Sequence, residues 1–465
     1  TPLSADTPAP VRTTTRLSPL NNALTISSSA CTISPTIRHS VMFRAKTRAR
    51  HGFSTVGQLA IRPNKRHSPL LHFTTVPTIL PEEDPLATRT VYYIEGDGIG
   101  AEVWAAGRPV LNKAVEMAYA GANQLDWQEL LAGEKGFAET GEHLPQSTMD
   151  TLSKADLAMK GPLNTPVGKG FRSLNVTMRQ VFDLYACIRP IKYFKGIESP
   201  VKRPDLVDMV VFRENTEDVY AGIEYQSGSP EAKKLIEFLV DELGANIDIT
   251  AGVGIKPITP AGSKRLVKKA LDFAIAENRP SVTLVHKGNI MKTTEGGFRA
   301  WGYELADEEY QGKVVREGAD GEGVIIKDRI ADAMFQNVLM YPEQYSVIAT
   351  TNLNGDYISD ALAAQVGGLG LAPGVNMGDQ LAFFEPTHGT APTIAGKDLA
   401  NPGSLILSGA MLLEHIGWHE AAALIHASVE KTLAAKKVTV DLAAQISGST
   451  QVGCKEFGEL LLANL

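Results

Sequence analysis

A chain of 465 residues with 43% hydrophobic content is long enough to bury a sizeable core and to form more than one domain. No run approaches the roughly 18 apolar residues of a membrane span, and the scattered Cys31, Cys187 and Cys454 exclude a disulfide scaffold or a CxxC zinc site. The net charge of -7 divides into ten Lys/Arg against one acid over residues 1–80 and 35 bases against 51 acids over the rest, an acidic body that argues against nucleic acid or an anionic membrane as the main partner.

Residues 1–84 form a basic, Ser/Thr-rich, acid-poor leader with an Arg-rich stretch after Met42. That composition predicts a mitochondrial transit peptide directing the protein to the matrix, with a plastid as the alternative destination and Met42 as an alternative start. Beyond the Pro-containing stretch 77–86, residues 90–94 read as a strand, 95–100 as a Gly-rich loop and 101–119 as a helix. Further strands are predicted at 208–212, 281–285, 324–326 and 346–349. Helices are predicted at 263–277, 328–340, 358–366, 403–417, 419–434 and 454–463. Segment 221–255, with an amphipathic helix at 231–243, reads as an insertion or arm. The alternation predicts an α/β fold. Gly96, Gly98 and Gly100 are spaced GxGxG rather than GxGxxG, and no acidic residue ends a second strand about 20 residues on, so the Rossmann fingerprint is absent.

Chemistry concentrates between residues 173 and 360. Asp356 and Asp360 lie four residues apart and, if helical, share a face that can grip one hard cation; Asp332 is a third acidic candidate. Ser173, Asn175 and Arg179 fall within two helical turns, and Arg189, Arg213 and Tyr220 follow. Single surface arginines contribute little, but three beside a carboxylate cluster suit a small polycarboxylate, because guanidinium forks bind carboxylates bidentately.

Seven motifs then resemble the metal-dependent β-decarboxylating dehydrogenases, the isocitrate/isopropylmalate dehydrogenase family, and within it the bacterial homodimeric isocitrate type. They are GDGIG at 96–100, GPLNTPVG at 161–168, RSLNVTMRQ at 172–180, FRENTEDVYAGIEY at 212–225, LVHKGNIMK at 284–292, NLNGDYISDALAAQVGG at 352–368 and EPTHGTAP at 385–392. The resemblance spans about 88–465. It implies that Ser173, Asn175, Arg179, Arg189 and Arg213 bind isocitrate, that Tyr220 and Lys287 are catalytic, and that Asp332, Asp356 and Asp360 hold Mg²⁺ or Mn²⁺. It further implies a homodimer in which Lys287 and Asp332 come from the neighbouring subunit. Tyr220 is then the acid that protonates C3; Asp332, or Lys287 through water, takes the C2 hydroxyl proton. The implied fold has a large domain from 85–184 and 367–465, a small domain from 185–217 and 260–366, and a clasp at 218–259.

The resemblance places the cofactor against Asn164, Thr165, His388, Gly389, Thr390, Ala391, Pro392, Thr393, Ile394 and Asn401. NADP-type members carry Lys-Tyr at positions 393 and 394 and Tyr and Arg at 440 and 444; here those residues are Thr393, Ile394, Val440 and Ala444. That pattern predicts NAD, with NADP as the alternative, although the Asp usual at 393 in NAD-type members is missing. Rival readings are a sibling acting on 3-isopropylmalate, homoisocitrate or tartrate, which Ser173 with Asn175 disfavours, and a non-catalytic regulatory subunit, which the full set of site residues disfavours. Ser173 is also a candidate phosphorylation switch.

Overall fold

The computed structural model describes residues 88–164 and 173–465; the leader and Thr165 lie outside them. The first strands are β1 (Thr88–Ile94), β2 (Gln124–Glu129), β3 (Leu157–Lys160), β4 (Ala186–Lys192) and β5 (Asp208–Glu214). A short antiparallel pair, β6 (Glu224–Tyr225) and β7 (Val253–Gly254), stands apart in the inserted segment. Then come β8 (Ser281–His286), β9 (Val314–Arg316), β10 (Val324–Ile330), β11 (Val347–Thr350), β12 (Pro373–Met377) and β13 (Ala382–Pro386). A last small pair joins β14 (Lys437–Val438) to β15 (Thr450–Gln451).

Eleven strands form one sheet in the order β2-β1-β3-β13-β12-β4-β5-β11-β8-β10-β9. The outer runs are parallel, whereas β12 and β4 pair antiparallel with each other and with their other neighbours, β13 and β5. Near-continuous apolar sequence such as Met209-Val-Val-Phe212 and Val282-Thr-Leu-Val285 is what a parallel strand covered on both faces requires. Helix Gly403–His415 is buried along almost its whole length and packs on β12 and β13; the helices flanking it are Gly100–Tyr119 and His419–Ala434.

This topology gathers the chemistry-bearing loops. The parallel neighbours β1, β3 and β13 end at residues 94, 160 and 386, so the loops 95–100, 161–164 and 387–392 emerge side by side. Likewise the parallel strands β5, β11, β8 and β10 deliver Arg213, the 351–356 turn, Lys287 and Asp332 at their carboxyl ends, where open α/β sheets hold ligands.

Several predicted boundaries move, two of them at the site. Helix Asn352–Ala363 begins six residues before the expected 358, and the helix expected at 328–340 begins at Ala331 because β10 continues to Ile330.

Candidate functional site

Helix Asn352–Ala363 organises the centre of the site, presenting Asp356 and Asp360 one turn apart. Arg213, almost wholly buried at the end of β5, donates from Nε to Asn352 Oδ1 at 2.9 Å and pairs with Asp356 through Nη1. Its guanidinium also lies over the Tyr220 ring, 4.9 Å from the centroid. Tyr220 donates its hydroxyl to the other Asp356 oxygen at 2.9 Å. Arg189, buried on β4, donates to the Ser359 hydroxyl at 2.6 Å and to Asp360 at 3.2 Å. Such close approach requires Gly355: a Cβ there would sit 2.5 Å from Arg213 Cγ.

Arg179, on helix Leu174–Val181, donates to Glu385 at 2.8 Å, and Lys160 meets the same carboxylate at 2.5 Å. Asn376 adds a 2.6 Å hydrogen bond. Ser173 caps that helix by accepting from the Val176 N–H at 3.5 Å, and Asn175 donates to the Leu163 carbonyl at 3.3 Å.

The charges are mutually consistent. Burial works to raise the Asp356 carboxyl, but Arg213, the Tyr220 hydroxyl and the more distant Arg189 and Arg179 hold it below its ordinary range. Asp360 moves the other way: burial raises it, Arg189 opposes, and Asp356 adds to the rise. Burial, with Asp356 beside it, raises the Tyr220 phenol and keeps it protonated at neutral pH.

Lys287 and Asp332 form a separate exposed ion pair at the ends of β8 and β10, and Lys287 holds Asp332 below its ordinary value. Among the described residues no three His, Cys, Asp or Glu groups could hold a metal together. One chain therefore brings Asp356 and Asp360 together without Asp332. Oxygen donors of this kind suit Mg²⁺ or Mn²⁺.

The three loops of the other half interlock. Gly98, at φ +59°, lies so close to Thr390 that a Cβ would stand 2.1 Å from its carbonyl oxygen, and the Ile99 N–H donates to that oxygen at 3.0 Å. Asp97, buried, accepts from the Asn164 N–H at 2.8 Å and the Glu134 N–H at 2.7 Å. His388 donates from Nδ1 to the Gly389 carbonyl at 3.0 Å, while its buried Nε2 has no hydrogen-bond partner among the described residues. Gly389, Ala391, Pro392, Thr393 and Ile394 continue this loop, and Asn401 is anchored by Asp441 at 3.0 Å. The unpartnered imidazole nitrogen and the packed glycine turn fit a dinucleotide laid along the loop.

Sequence reading assigned no role to Lys160, Glu385, Asn352 or Ser359. Glu385 opens the EPTHGTAP motif and Lys160 ends the apolar run of β3; a charge closing a buried strand was the available signal.

A family model described as isocitrate/isopropylmalate dehydrogenase matches residues 90–461. A Staphylococcus aureus protein named isocitrate dehydrogenase (NADP) is 52% identical over 399 residues, covering 80% of this chain and 94% of that protein. A Pseudomonas aeruginosa protein of the same name is 52% identical over 386 residues, covering 80% and 92%. The solved structure of isocitrate dehydrogenase from Methylococcus capsulatus superposes with a TM-score of 0.68 at 37% identity, over 81% of this chain and 99% of that one.

Two expectations are corrected by these likenesses. NAD was expected as the cofactor of an NAD-dependent enzyme, but the relatives sharing half of their residues with this chain are named for NADP. The side chains at positions 393, 394, 440 and 444 do not by themselves decide the cofactor, and Lys397, the nearby cation, donates to the Thr393 carbonyl at 2.7 Å. A mitochondrial matrix location was also expected from the leader, whereas the relatives are bacterial proteins and nothing in the described residues indicates import. A basic, acid-poor composition alone does not distinguish an import signal from any other cationic segment.

Proposed function

The chain belongs to the isocitrate/isopropylmalate dehydrogenase family, and from that premise we propose that it catalyses the oxidative decarboxylation of isocitrate to 2-oxoglutarate and CO₂ with NADP and Mg²⁺ or Mn²⁺. One observation carries the substrate class: the guanidiniums of Arg189 and Arg213, both buried, and of Arg179, partly buried, lie within electrostatic reach of one another and of Asp356. Three clustered guanidiniums, each already beside one carboxylate, suit a multiply charged anion, and a tricarboxylate fits that description.

When bound, the nicotinamide supplies a hydride acceptor for C2, and the divalent ion supplies a Lewis acid for the C2 oxygen. Asp356 and Asp360 would hold the ion with Asp332 of a second copy. The arginines fix the carboxylates, and Ser173 with Asn175, whose buried Oδ1 has no protein partner, completes the isocitrate side. Tyr220, protonated at neutral pH, donates to C3 once CO₂ has left, and Lys287 of the second copy biases that phenol electrostatically. His388 and its loop would hold the adenosine half of the cofactor.

A homodimer is the assembly we infer: Lys287 pairs with Asp332, apart from the Arg213–Asp356–Tyr220 group, and a second copy would bring the two sets together. The inserted segment 218–259 supports it: Phe238, Leu243 and Ile249 are 53%, 64% and 44% exposed, an apolar surface that a clasp between subunits would cover. The large domain (85–184, 367–465) and small domain (185–217, 260–366) would then close on the substrate and exclude water.

The test is a direct assay. Purified protein with Mn²⁺, isocitrate and NADP should reduce the nicotinamide and release stoichiometric 2-oxoglutarate. Turnover of 3-isopropylmalate in preference to isocitrate would sink the proposal.

A further inference from the structure

A second buried network lies behind the groups that touch substrate. Glu295 is fully buried at the first residue of helix Glu295–Glu309, and its two oxygens accept from four donors. Oε2 takes the Lys287 backbone N–H at 2.8 Å and the Asn354 amide at 2.8 Å. Oε1 takes the Thr351 hydroxyl at 2.9 Å and the Lys256 ammonium at 2.9 Å. Lys256 pairs in addition with Asp218, which is as enclosed as Glu295. Asp218 accepts from the Leu353 N–H at 3.0 Å and the Val219 N–H at 2.7 Å, and holds a left-handed backbone at φ +68° two residues before Tyr220.

One ammonium between two enclosed carboxylates thus ties three segments: the loop of Lys287, the amino end of the helix bearing Asp356 and Asp360, and the turn bearing Tyr220. Stability alone does not explain it, because an apolar group of similar volume avoids the desolvation that such a cluster demands. The left-handed Asp218 is a strained residue of the kind that surrounding structure retains at working sites.

We propose that Glu295, braced by Lys256, is a positioning residue: it fixes the backbone of Lys287 against the helix of Asp356 and Asp360. The inference rests on the functional reading above, in which a subunit keeps its Asp356, Asp360 and Tyr220 but lends its Lys287 to the partner. The two active sites of the dimer are then joined inside each subunit through this carboxylate.

Glu295→Gln keeps the volume and removes the charge. In the Mn²⁺–isocitrate–NADP assay, kcat should fall about 10–100-fold. The KM for isocitrate should stay within about threefold, because the arginine clamp is untouched. Added to Lys287→Ala, the same change should cost less than about threefold more, since the group it positions is gone. Equal losses in both backgrounds, or a raised KM with kcat unchanged, would overturn the inference. Should Glu295→Gln fail to fold, Asn354→Ala, which removes only the helix-side arm, should lower kcat about 3–10-fold with the same dependence on Lys287, and an unchanged kcat would overturn the inference. A Lys287→Ala protein as fast as the unsubstituted one would instead overturn the functional reading, and this inference with it.

Discussion

At Glu385 a carboxylate almost wholly removed from solvent faces Lys160 at 2.5 Å and Arg179 at 2.8 Å. Burial alone would raise its pKa, but the two cations outweigh that and hold it well below its ordinary value of 4.5. Glu385→Gln strands the buried Lys160 and the partly buried Arg179, and breaking such a buried pair costs about 3–5 kcal/mol. The urea midpoint should fall accordingly, and kcat/KM for isocitrate with it as Arg179 loses its anchor. The pH dependence has a fixed sign. A carboxyl whose folded value is depressed stabilises fully above its unfolded value and loses that contribution as pH falls through the folded one. The gap in urea midpoint between Glu385→Gln and the unsubstituted protein should therefore close on acidification below 4.5. Arg179 and Arg213 were legible in the sequence because each lies inside a long motif, and Arg189 because it follows Arg179 in the same basic group. Glu385 and Lys160 were not, because their partnership joins residues far apart in the chain, and a lone lysine after Leu-Ala-Met reads as a strand-end surface charge.

Two glycines show how elements are fitted to one another. In helix Asn352–Ala363, replacing Gly355 by Ala gains up to about 1 kcal/mol of helix propensity. The new Cβ, however, would lie 2.5 and 2.6 Å from Arg213 side-chain carbons that have no room to retreat. Overpacking of about 1–3 kcal/mol then wins. Gly355→Ala should lower both the melting temperature and kcat/KM, the latter about tenfold or more as Arg213 is displaced. Gly98→Ala is a test of the dinucleotide loops: a Cβ 2.1 Å from the Thr390 oxygen prises them apart. The KM for NADP should rise about tenfold, with little change in that for isocitrate. A rise confined to isocitrate would disprove the assignment of those loops. Gly355 also explains why this helix was expected to start at 358: Asn, Asn and Gly in its first turn are poor helix formers, and the requirement for them is set by Arg213 across the sheet rather than by local pattern. The apolar strands and the helices 403–417 and 419–434 were legible because their periodicity is local.

The proposed sharing of the site between two copies makes a prediction about the whole assembly. Tyr220→Phe and Lys287→Ala dimers each carry two damaged sites. A purified hybrid of the two would combine both defects in one site and none in the other, recovering about half of the unsubstituted activity. If each site were built within one chain, the hybrid would stay as slow as its parents. Sequence pattern alone could not reveal the eleven-stranded sheet, because alternation shows that a strand exists but not its neighbours. β3, ending at Lys160, pairs with β13, starting at Ala382. That pairing bears on biosynthesis. While the ribosome makes everything between, the nascent polypeptide holds β3 with its edge open and its apolar side chains uncovered, so translation must run nearly to its end before the first-made strands are sealed. Aggregation during expression should therefore track elongation speed and chaperone supply more closely than the stability of the finished enzyme.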